Sequence, residues 1–529
     1  MSLARNTLVQ SGLTLGSRIL GFVRDLYLNA RFGQGPLMDV FATALMLPNL
    51  FRRLFAEGAF AQAFVPLYAK TQTEQGPEEA QRIASAALSF LLAVVAAFCV
   101  ALQVAMPWLM LGLLSTYADQ PKVMQIAVIA TQITMPYLAF MTIASLLSGV
   151  LNTAGRFALT AAVPTLLNVC TLVPLILLPG KETTLIAVAI AVTVAGLIQA
   201  GLLWWGMRRL GVRLKIGLPR LTPEVKRMLA LALPGVIAGG ATQINSLTSQ
   251  VLTGSDEGAR SVLYNADRLY QLPLGLVGVA VGLALVPRLS KAFAAKDDES
   301  GRSAMDQGIA LALAFTLPAA AALLVMPFFI IDATVTRGAF TSEDARRTAE
   351  VLRHFAWGVP AFVLAKVFTP PFFARQDTKR PMRFALTTVA ISTLGGAGLF
   401  LWFNSIGHDG VQGLAIATSA AAWLNIALLA GALAREGAYQ MSAVLWGRLA
   451  RGLAAVGVMA AFLGACAWQY TLLKTLLWHK EIAVLAVVAA GFLLYAVAAL
   501  LLRAVSLREI SGALRREAGA PGVARDLDV

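Results

Sequence analysis

Residues 39–66 read DVFATALMLPNLFRRLFAEGAFAQAFVP, a stretch long enough to cross a bilayer as one helix. Apolar side chains lie on most of its faces, yet Arg52 and Arg53 stand side by side about 20 Å along the axis from Asp39. A charged group at the middle of a membrane costs about 3 kcal/mol on insertion scales. Side chains near a helix end can instead reach the membrane surface, but this depth favours a polar cavity inside the membrane.

The polar positions of this stretch follow the helical repeat. Asn49, Arg53 and Glu57 are spaced four residues apart and form one stripe, on which Arg53 and Glu57 can pair. Arg52 points about 100° away from Arg53, and no acidic residue stands three or four positions from it. Such an arginine is well placed to bind an external phosphate or carboxylate through its planar fork.

Composition places the whole chain in a membrane. Of its 529 residues, 58% are hydrophobic and 13% are charged, against about a quarter charged in soluble proteins. Apolar runs of about 20 residues recur from end to end, which predicts an all-α polytopic membrane protein with about 14 transmembrane helices. The net charge of +15 comes from basic residues scattered in short loops, so it indicates topology and not nucleic-acid binding.

The loops predict orientation and domains. Basic residues concentrate after every second predicted span, which places both termini in the cytoplasm. Segment 47–70 aligns without a gap on segment 268–291, a weak internal repeat that suggests two pseudo-symmetric six-helix lobes joined by the basic linker 208–227. The predicted domains are 1–215 for the N-terminal lobe, 216–440 for the C-terminal lobe, 441–510 for two further helices and 511–529 for a cytoplasmic tail.

Charged side chains recur in other predicted spans. Arg18 and Asp25 share one face of the first span and Arg24 lies to one side, while Asp267 and Arg268 open the eighth span. The candidate substrate-binding residues are Arg18, Arg24, Arg52, Arg53 and Arg268, and the candidate functional acids are Asp25, Asp39, Glu57 and Asp267. Arginines from both halves predict a central site for an anionic head group, namely phosphate or pyrophosphate.

Enzymatic and metal chemistry have no signature here. The sequence contains no GxxxxGK[ST] phosphate loop, no HExxH and no nucleophile–base pair, which predicts a transporter and not an enzyme. The three cysteines have no CxxC spacing and the three histidines are far apart, so we expect neither a metal site nor a cofactor.

Four segments closely resemble motifs of the MurJ/MviN family of lipid II flippases, which belongs to the multidrug/oligosaccharidyl-lipid/polysaccharide exporter superfamily. They are SRILGFVRD (17–25), LPNLFRRLFAEGAFAQAFVP (47–66), YNADRL (264–269) and FFARQDTKRP (372–381). The resemblance implies that the substrate is lipid II, the undecaprenyl-pyrophosphate-linked peptidoglycan precursor. It would be moved from the cytoplasmic to the periplasmic leaflet of the bacterial cytoplasmic (inner) membrane by alternating access.

The resemblance also implies roles for particular residues. The arginines at positions 18, 24, 52 and 268 match the family's essential cavity arginines, and Asp39 and Glu57 match its functionally important acids. Segment 441–510 would form a groove for the polyprenyl tail. Some family members bind sodium through acids in spans seven and eleven, which have none here, so we expect coupling to membrane potential or protons.

Other interpretations remain open at this point. Loop 372–381 is either a positive-inside anchor or part of a gate, for which the candidates are Asn49, Arg375 and Asp377. The chain could export another polyprenyl-linked glycan or a drug. It could also be a non-transporting scaffold for cell-wall synthesis proteins, with Arg53–Glu57 and Arg18–Asp25 as structural ion pairs. The expected partners are lipid II, membrane lipids and such proteins.

Overall fold

The computed structural model describes residues 3–52, 59–275, 298–375, 377–472 and 479–504. Within these ranges the chain is helical apart from short connections. The helices are α1 (Leu3–Phe32), α2 (Pro36–Arg52), α3 (Ala59–Glu74), α4 (Pro77–Leu113), α5 (Pro121–Thr134), α6 (Tyr137–Thr153), α7 (Phe157–Leu177), α8 (Lys181–Arg209), α9 (Pro223–Thr253), α10 (described over 259–275), α11 (Asp298–Val325), α12 (Pro327–Thr334), α13 (Ser342–Ala356), α14 (Val359–Phe368), α15 (Pro370–Ala374), α16 (Lys379–Ser405), α17 (Gly410–Arg435), α18 (Ala443–Trp468) and α19 (Lys480–Leu501).

Ten helical stretches of the described residues are long and apolar enough to cross a membrane. A bilayer offers no water to backbone groups, so a spanning chain satisfies them within helices. The all-α polytopic class predicted from the apolar runs is confirmed, and the protein is an integral membrane protein.

The chain divides into two compact units. The first comprises Met1–Tyr264 and Val335–Asp344, and the second comprises Asn265–Thr334 and Ala345–Val529. The chain therefore leaves the first unit within α10 and comes back to it for ten residues before α13 continues. We call Val335–Asp344 the return segment. The lobe boundary at 215/216 predicted from the sequence stays a prediction.

In the first unit, α1 packs on α7, α7 and α6 pack on α8, α2 packs on α5, and α3 packs on α9. The predicted fourth span, 124–152, is two helices because Pro136 follows the end of α5 and brings no N–H group. The hydroxyl of Thr134, at the end of α5, donates to the carbonyl oxygen of Ala44 at 2.8 Å. The Thr134 side chain thus connects the break between α5 and α6 to α2 by a hydrogen bond.

The return segment docks on the end of α1 through two glycines with positive φ. Gly33 has a φ of 68° and Gly338 a φ of 58°. The Ala339 N–H donates to the Ala30 carbonyl at 2.8 Å. A Cβ on Gly33 would lie 2.4 Å from the Ala339 oxygen, and one on Gly338 would lie 2.3 Å from the Ala30 oxygen. Only glycine permits this approach of backbone to backbone.

In the second unit, α16 packs on α17, α11 packs on α14 and α18, and α18 packs on α19. The predicted tenth span, 344–374, consists of α13, α14 and α15. The turn before α14 contains Gly358, where a Cβ would lie 2.5 Å from the Ser419 hydroxyl oxygen. The predicted spans thirteen and fourteen correspond to α18 and α19.

Candidate functional site

A buried arginine of α1 stands at the centre of a polar cluster in the first unit. Arg24, which is 4% exposed, donates from Nη2 to Asp25 Oδ1 at 2.7 Å and from Nε to the same oxygen at 3.1 Å. The hydroxyl of Tyr264 donates to this oxygen at 3.0 Å. One carboxylate oxygen thus accepts three hydrogen bonds, and the buried charge of Arg24 is balanced by the neighbouring acid in sequence.

The other side of the Arg24 guanidinium is held by α7. Nη1 of Arg24 donates to Asn168 Oδ1 at 3.0 Å, and Asn168 Nδ2 donates to the Ser17 carbonyl at 2.9 Å. Gly21 lies between these contacts, where a Cβ would be 3.3 Å from Asn168 Nδ2. Asn168 therefore fixes the direction of the guanidinium relative to the backbone of α1.

Arg52 lies near this cluster at the end of α2. It is partly buried, and its Nε donates to Asn49 Oδ1 at 3.2 Å, one turn earlier on the same helix. The buried Tyr137, at the start of α6, lies within electrostatic range of both Arg52 and Arg24. Two of the predicted arginines therefore interact electrostatically with one buried phenol.

A second buried cluster surrounds Asp39 at the start of α2. Asp39 Oδ2 accepts from the Tyr117 hydroxyl at 2.8 Å and from the Gly258 N–H at 2.9 Å, while Oδ1 accepts from the Ser261 N–H at 2.8 Å. Gly258 directly precedes α10 and Ser261 lies in its first turn, where backbone N–H groups have no helical partner. The carboxylate therefore caps α10 and complements the positive end of its dipole.

Arg260 completes the Asp39 cluster. Its Nη2 donates to the carbonyls of Leu113 and Gln250, in the last turns of α4 and α9, and its Nη1 donates to the Thr43 hydroxyl. Both carbonyls lie at the C-terminal ends of their helices, where the helix dipole is negative, and the Gln250 carbonyl also accepts from the Gly254 N–H at 3.1 Å. A single guanidinium, which is 1% exposed, thus joins two helix ends to α2.

This chain is similar in sequence to known proteins over most of its length. A family model described as lipid II flippase MurJ matches residues 28–508. The probable lipid II flippase MurJ of Rhizobium meliloti (strain 1021) is 37% identical over 533 residues, which cover 99% of this chain and 98% of that protein. The lipid II flippase MurJ of Burkholderia cenocepacia is 33% identical over 451 residues, which cover 84% of this chain and 86% of that protein.

The chain belongs to the lipid II flippase MurJ family. A solved structure of lipid II flippase MurJ in an inward closed conformation has the same fold, with a TM-score of 0.73, 21% identity and coverage of 93% of this chain and 98% of that one. An inward-facing multidrug resistance MATE family transporter of the MOP superfamily matches with a TM-score of 0.63 and 14% identity, covering 82% of this chain and 98% of that one. Family membership confirms the prediction of a transporter and not an enzyme.

The remaining predicted site residues of this MurJ family member are at other positions of α1 and α10 or outside the described residues. Arg18 is exposed on α1. Arg53 and Glu57 fall outside the described residues, and the Arg53–Glu57 pair stays a prediction. Asp267 and Arg268 lie on α10 in the second unit, where Arg268 is exposed and Asp267 accepts a hydrogen bond from Gln271. The structural pair predicted for Asp25 was with Arg18, and the ion pair described for Asp25 is with Arg24.

The candidate gate residues Arg375 and Asp377 join a charged cluster of the second unit. Arg375 Nη1 lies 3.3 Å from Glu436 Oε2, and Arg380 pairs with Glu436 and with Asp377. Asp377 also accepts from the Arg380 N–H at 3.1 Å, at the start of α16. The cluster thus connects the loop before α16 to the end of α17. The gating role stays a prediction.

The residues of the two clusters that were absent from the predicted site include Tyr117, Asn168, Arg260 and Tyr264. Asn168 was detectable as a lone amide in the apolar run of α7, because polar groups inside a membrane are costly. Tyr264 is the first residue of the YNADRL motif. Tyr117 lies in a short connection after α4, where nothing in the sequence marks it.

Proposed function

We propose that this chain is a lipid II flippase, which moves the undecaprenyl-pyrophosphate-linked peptidoglycan precursor across the bacterial cytoplasmic membrane. The observation that carries the proposal is membership of the lipid II flippase MurJ family over residues 28–508. The proposed direction is from the cytoplasmic to the periplasmic leaflet, with both termini in the cytoplasm. This orientation is supported by the distribution of basic residues among the loops.

The buried polar cluster of the first unit suggests how a pyrophosphate is bound. Arg24 offers donors from Nε and both Nη atoms, and Arg52 lies in the same neighbourhood beside Tyr137. In the conformation described here, Asp25 occupies the Arg24 fork. A pyrophosphate oxygen pair would take the place of that carboxylate, because arginine binds both bidentately. Exchange of an internal anion for an external one keeps the guanidinium paired throughout.

The proposed mechanism is alternating access of two lobes, with Arg18, Arg53 and Arg268 as further ligands of the head group. Asp39 and Glu57 would serve as functional acids, and Asn49, Arg375 and Asp377 as gate residues. We propose membrane potential or protons as the driving force. The expected absence of acids in spans seven and eleven supports this choice over sodium.

The polyprenyl tail needs an apolar surface while the head group passes through a polar one. We propose that α18 and α19 supply it, in agreement with the groove predicted for 441–510. These helices pack on each other and present large apolar side chains outward, including Trp446, Leu453 and Leu485. Membrane lipids would cover the same side chains when no substrate is bound.

The test is transport by the purified full-length chain in vesicles that contain lipid II in one leaflet. We expect appearance of lipid II in the opposite leaflet, faster with an imposed membrane potential, and loss of this transport in Arg24→Gln. Arg82→Gln, which removes an exposed pair with Glu79, is the matched control and should transport normally. Transport of other undecaprenyl-pyrophosphate glycans at the same rate would favour the broader exporter. No transport of any lipid would favour the scaffold.

A further inference from the structure

The linker between α8 and α9 lies along α4, held by hydrogen bonds in a regular register. The backbone N–H groups of alternate linker residues donate to side chains spaced four apart on α4. These pairs are Arg213 to Gln81 Oε1 at 2.9 Å, Lys215 to Ser85 Oγ at 3.1 Å, and Gly217 to Ser89 Oγ at 3.0 Å. We call these three hydrogen bonds the ladder.

The ladder forms because the spacing of every fourth residue on the helix nearly matches the spacing of every second residue along the extended linker. Four residues of an α-helix advance about 6.0 Å, and two residues of an extended chain advance about 6.6 Å. Ser85 and Ser89 each donate to the carbonyl four residues earlier, at 2.7 Å, which leaves their oxygen lone pairs for the linker. The helix therefore offers an acceptor to every second residue of an extended strand.

A fixed extended strand has two distinct faces, because alternate side chains point to opposite sides. Leu214 is buried in the core of the first unit. Ile216 and Leu218, on the same face, are 53% and 81% exposed. Arg213 and Lys215 occupy the opposite face and are exposed. The linker thus displays an apolar face and, on its opposite side, a basic face.

The position of the linker corresponds to a membrane surface. Helix α4 has 37 residues and is about 55 Å long, which exceeds the hydrocarbon core of about 30 Å. Gln81 precedes the apolar run of this helix, and Ser85 and Ser89 lie in the first turns of that run, so the ladder extends from the headgroup region toward the acyl boundary. At the same end of α8, the guanidinium of Arg209 lies 4.1 Å from the centre of the Trp205 ring, and tryptophan is typical of this interface.

The basic residues of this surface outnumber its acids, because segment 208–227 contains seven basic residues and one acid, Glu224. Glu224 and Glu79 both pair with Arg82 of α4. We infer that the linker is a binding site for anionic lipid headgroups. Ile216 and Leu218 enter the acyl boundary, while Arg213 and Lys215 bind lipid phosphates at the surface. Each cation near such a surface changes the lipid partition about fivefold. This site is separate from the Arg24 cluster and does not depend on the transported substrate.

The test uses an environment-sensitive fluorophore on the variant Leu218→Cys, in the full chain with its three native cysteines replaced by alanine. Vesicles contain phosphatidylcholine and phosphatidylglycerol, and either one or the other carries brominated acyl chains at equal mole fraction. We expect stronger quenching by brominated phosphatidylglycerol than by brominated phosphatidylcholine. Adding Arg213→Gln and Lys215→Gln should remove this preference but keep the quenching itself, because the apolar face of the linker remains in the membrane.

The ladder is tested by Ser85→Ala with Ser89→Ala, which should weaken both the quenching and the preference. Ser249→Ala is the matched control, since that hydroxyl also donates to the carbonyl four residues earlier but accepts nothing from the linker among the described contacts. Thermal unfolding of every variant verifies folding. Equal quenching by the two lipids with the basic residues intact would overturn the site, and so would a preference that survives their removal.

Discussion

The hydroxyl of Tyr117 donates to Asp39 at 2.8 Å, and through that carboxylate the connection after α4 is joined to the start of α10. Asp39 thus has a structural task in addition to any part in transport. It caps the start of α10. Its importance can be separated into a capping effect and a charge effect.

We expect Asp39→Asn to lower the melting temperature for two reasons. The amide has one acceptor oxygen where the carboxylate has two, and the neutral amide has no favourable charge interaction with the dipole of α10. The cost should be about 1 to 2 kcal/mol. Tyr117→Phe removes one hydrogen bond and should cost about 1 kcal/mol. Thermal unfolding in detergent measures both. Asp119→Asn, at an exposed acid nearby, should leave the melting temperature unchanged; equal melting of the Asp39 and Asp119 variants would contradict the capping role.

Asn168→Ala should reduce lipid II transport about tenfold, because a hydrogen bond to a charged group is worth about 1.5 to 3 kcal/mol and this one directs the Arg24 guanidinium. Asn168→Asp keeps an acceptor and adds a charge, and we expect it to hold Arg24 more tightly and to transport still more slowly. Initial rates in vesicles give the comparison. Asn152→Ala, whose amide accepts from Thr160 away from the cluster, is the control and should transport normally.

Gly196→Ala should slow transport by displacing Tyr137 from its place beside Arg24 and Arg52. A Cβ on Gly196 would lie 2.7 Å from Tyr137 Cδ2, so the ring must move. Gly201 stands on the same helix with nothing within 4 Å of such a Cβ. Gly201→Ala should therefore fold normally, gain up to about 1 kcal/mol of helix stability and transport at the normal rate. Identical rates for the two variants would argue against a role of Tyr137.

Gly338→Ala should destabilise the protein by more than backbone conformation alone explains. A non-glycine residue with positive φ costs about 1 to 2 kcal/mol, and here the Cβ also collides with the Ala30 carbonyl. Gly155→Ala separates the two causes, because Gly155 has a φ of 72° and no atom within 4 Å of a Cβ. The drop in melting temperature should be clearly larger for Gly338→Ala. Equal drops would show that the return segment moves aside freely.

The sequence predicted the membrane fold because apolar runs report directly on burial in lipid. It also identified Arg24, Arg52 and Asp39 as anomalies, since charge inside such runs is costly. It did not predict their partners. Asn168 is 144 residues from Arg24 and Gly258 is 219 from Asp39, and no local periodicity encodes contacts at such separations. Helix breaks at Pro136 and Gly358 were likewise missed, because hydropathy is continuous across them.

The return segment has a practical consequence for dividing the gene. A cut between Tyr264 and Asn265 yields two polypeptides that correspond to the units only in part, since residues 335–344 travel with the wrong fragment. The first fragment would then lack the backbone that meets Ala30 and Gly33. Supplying this ten-residue piece by fusion or as a separate peptide should improve the recovery of the first fragment. Split-gene complementation with and without the piece would therefore measure how much the return segment contributes to the stability of the first unit.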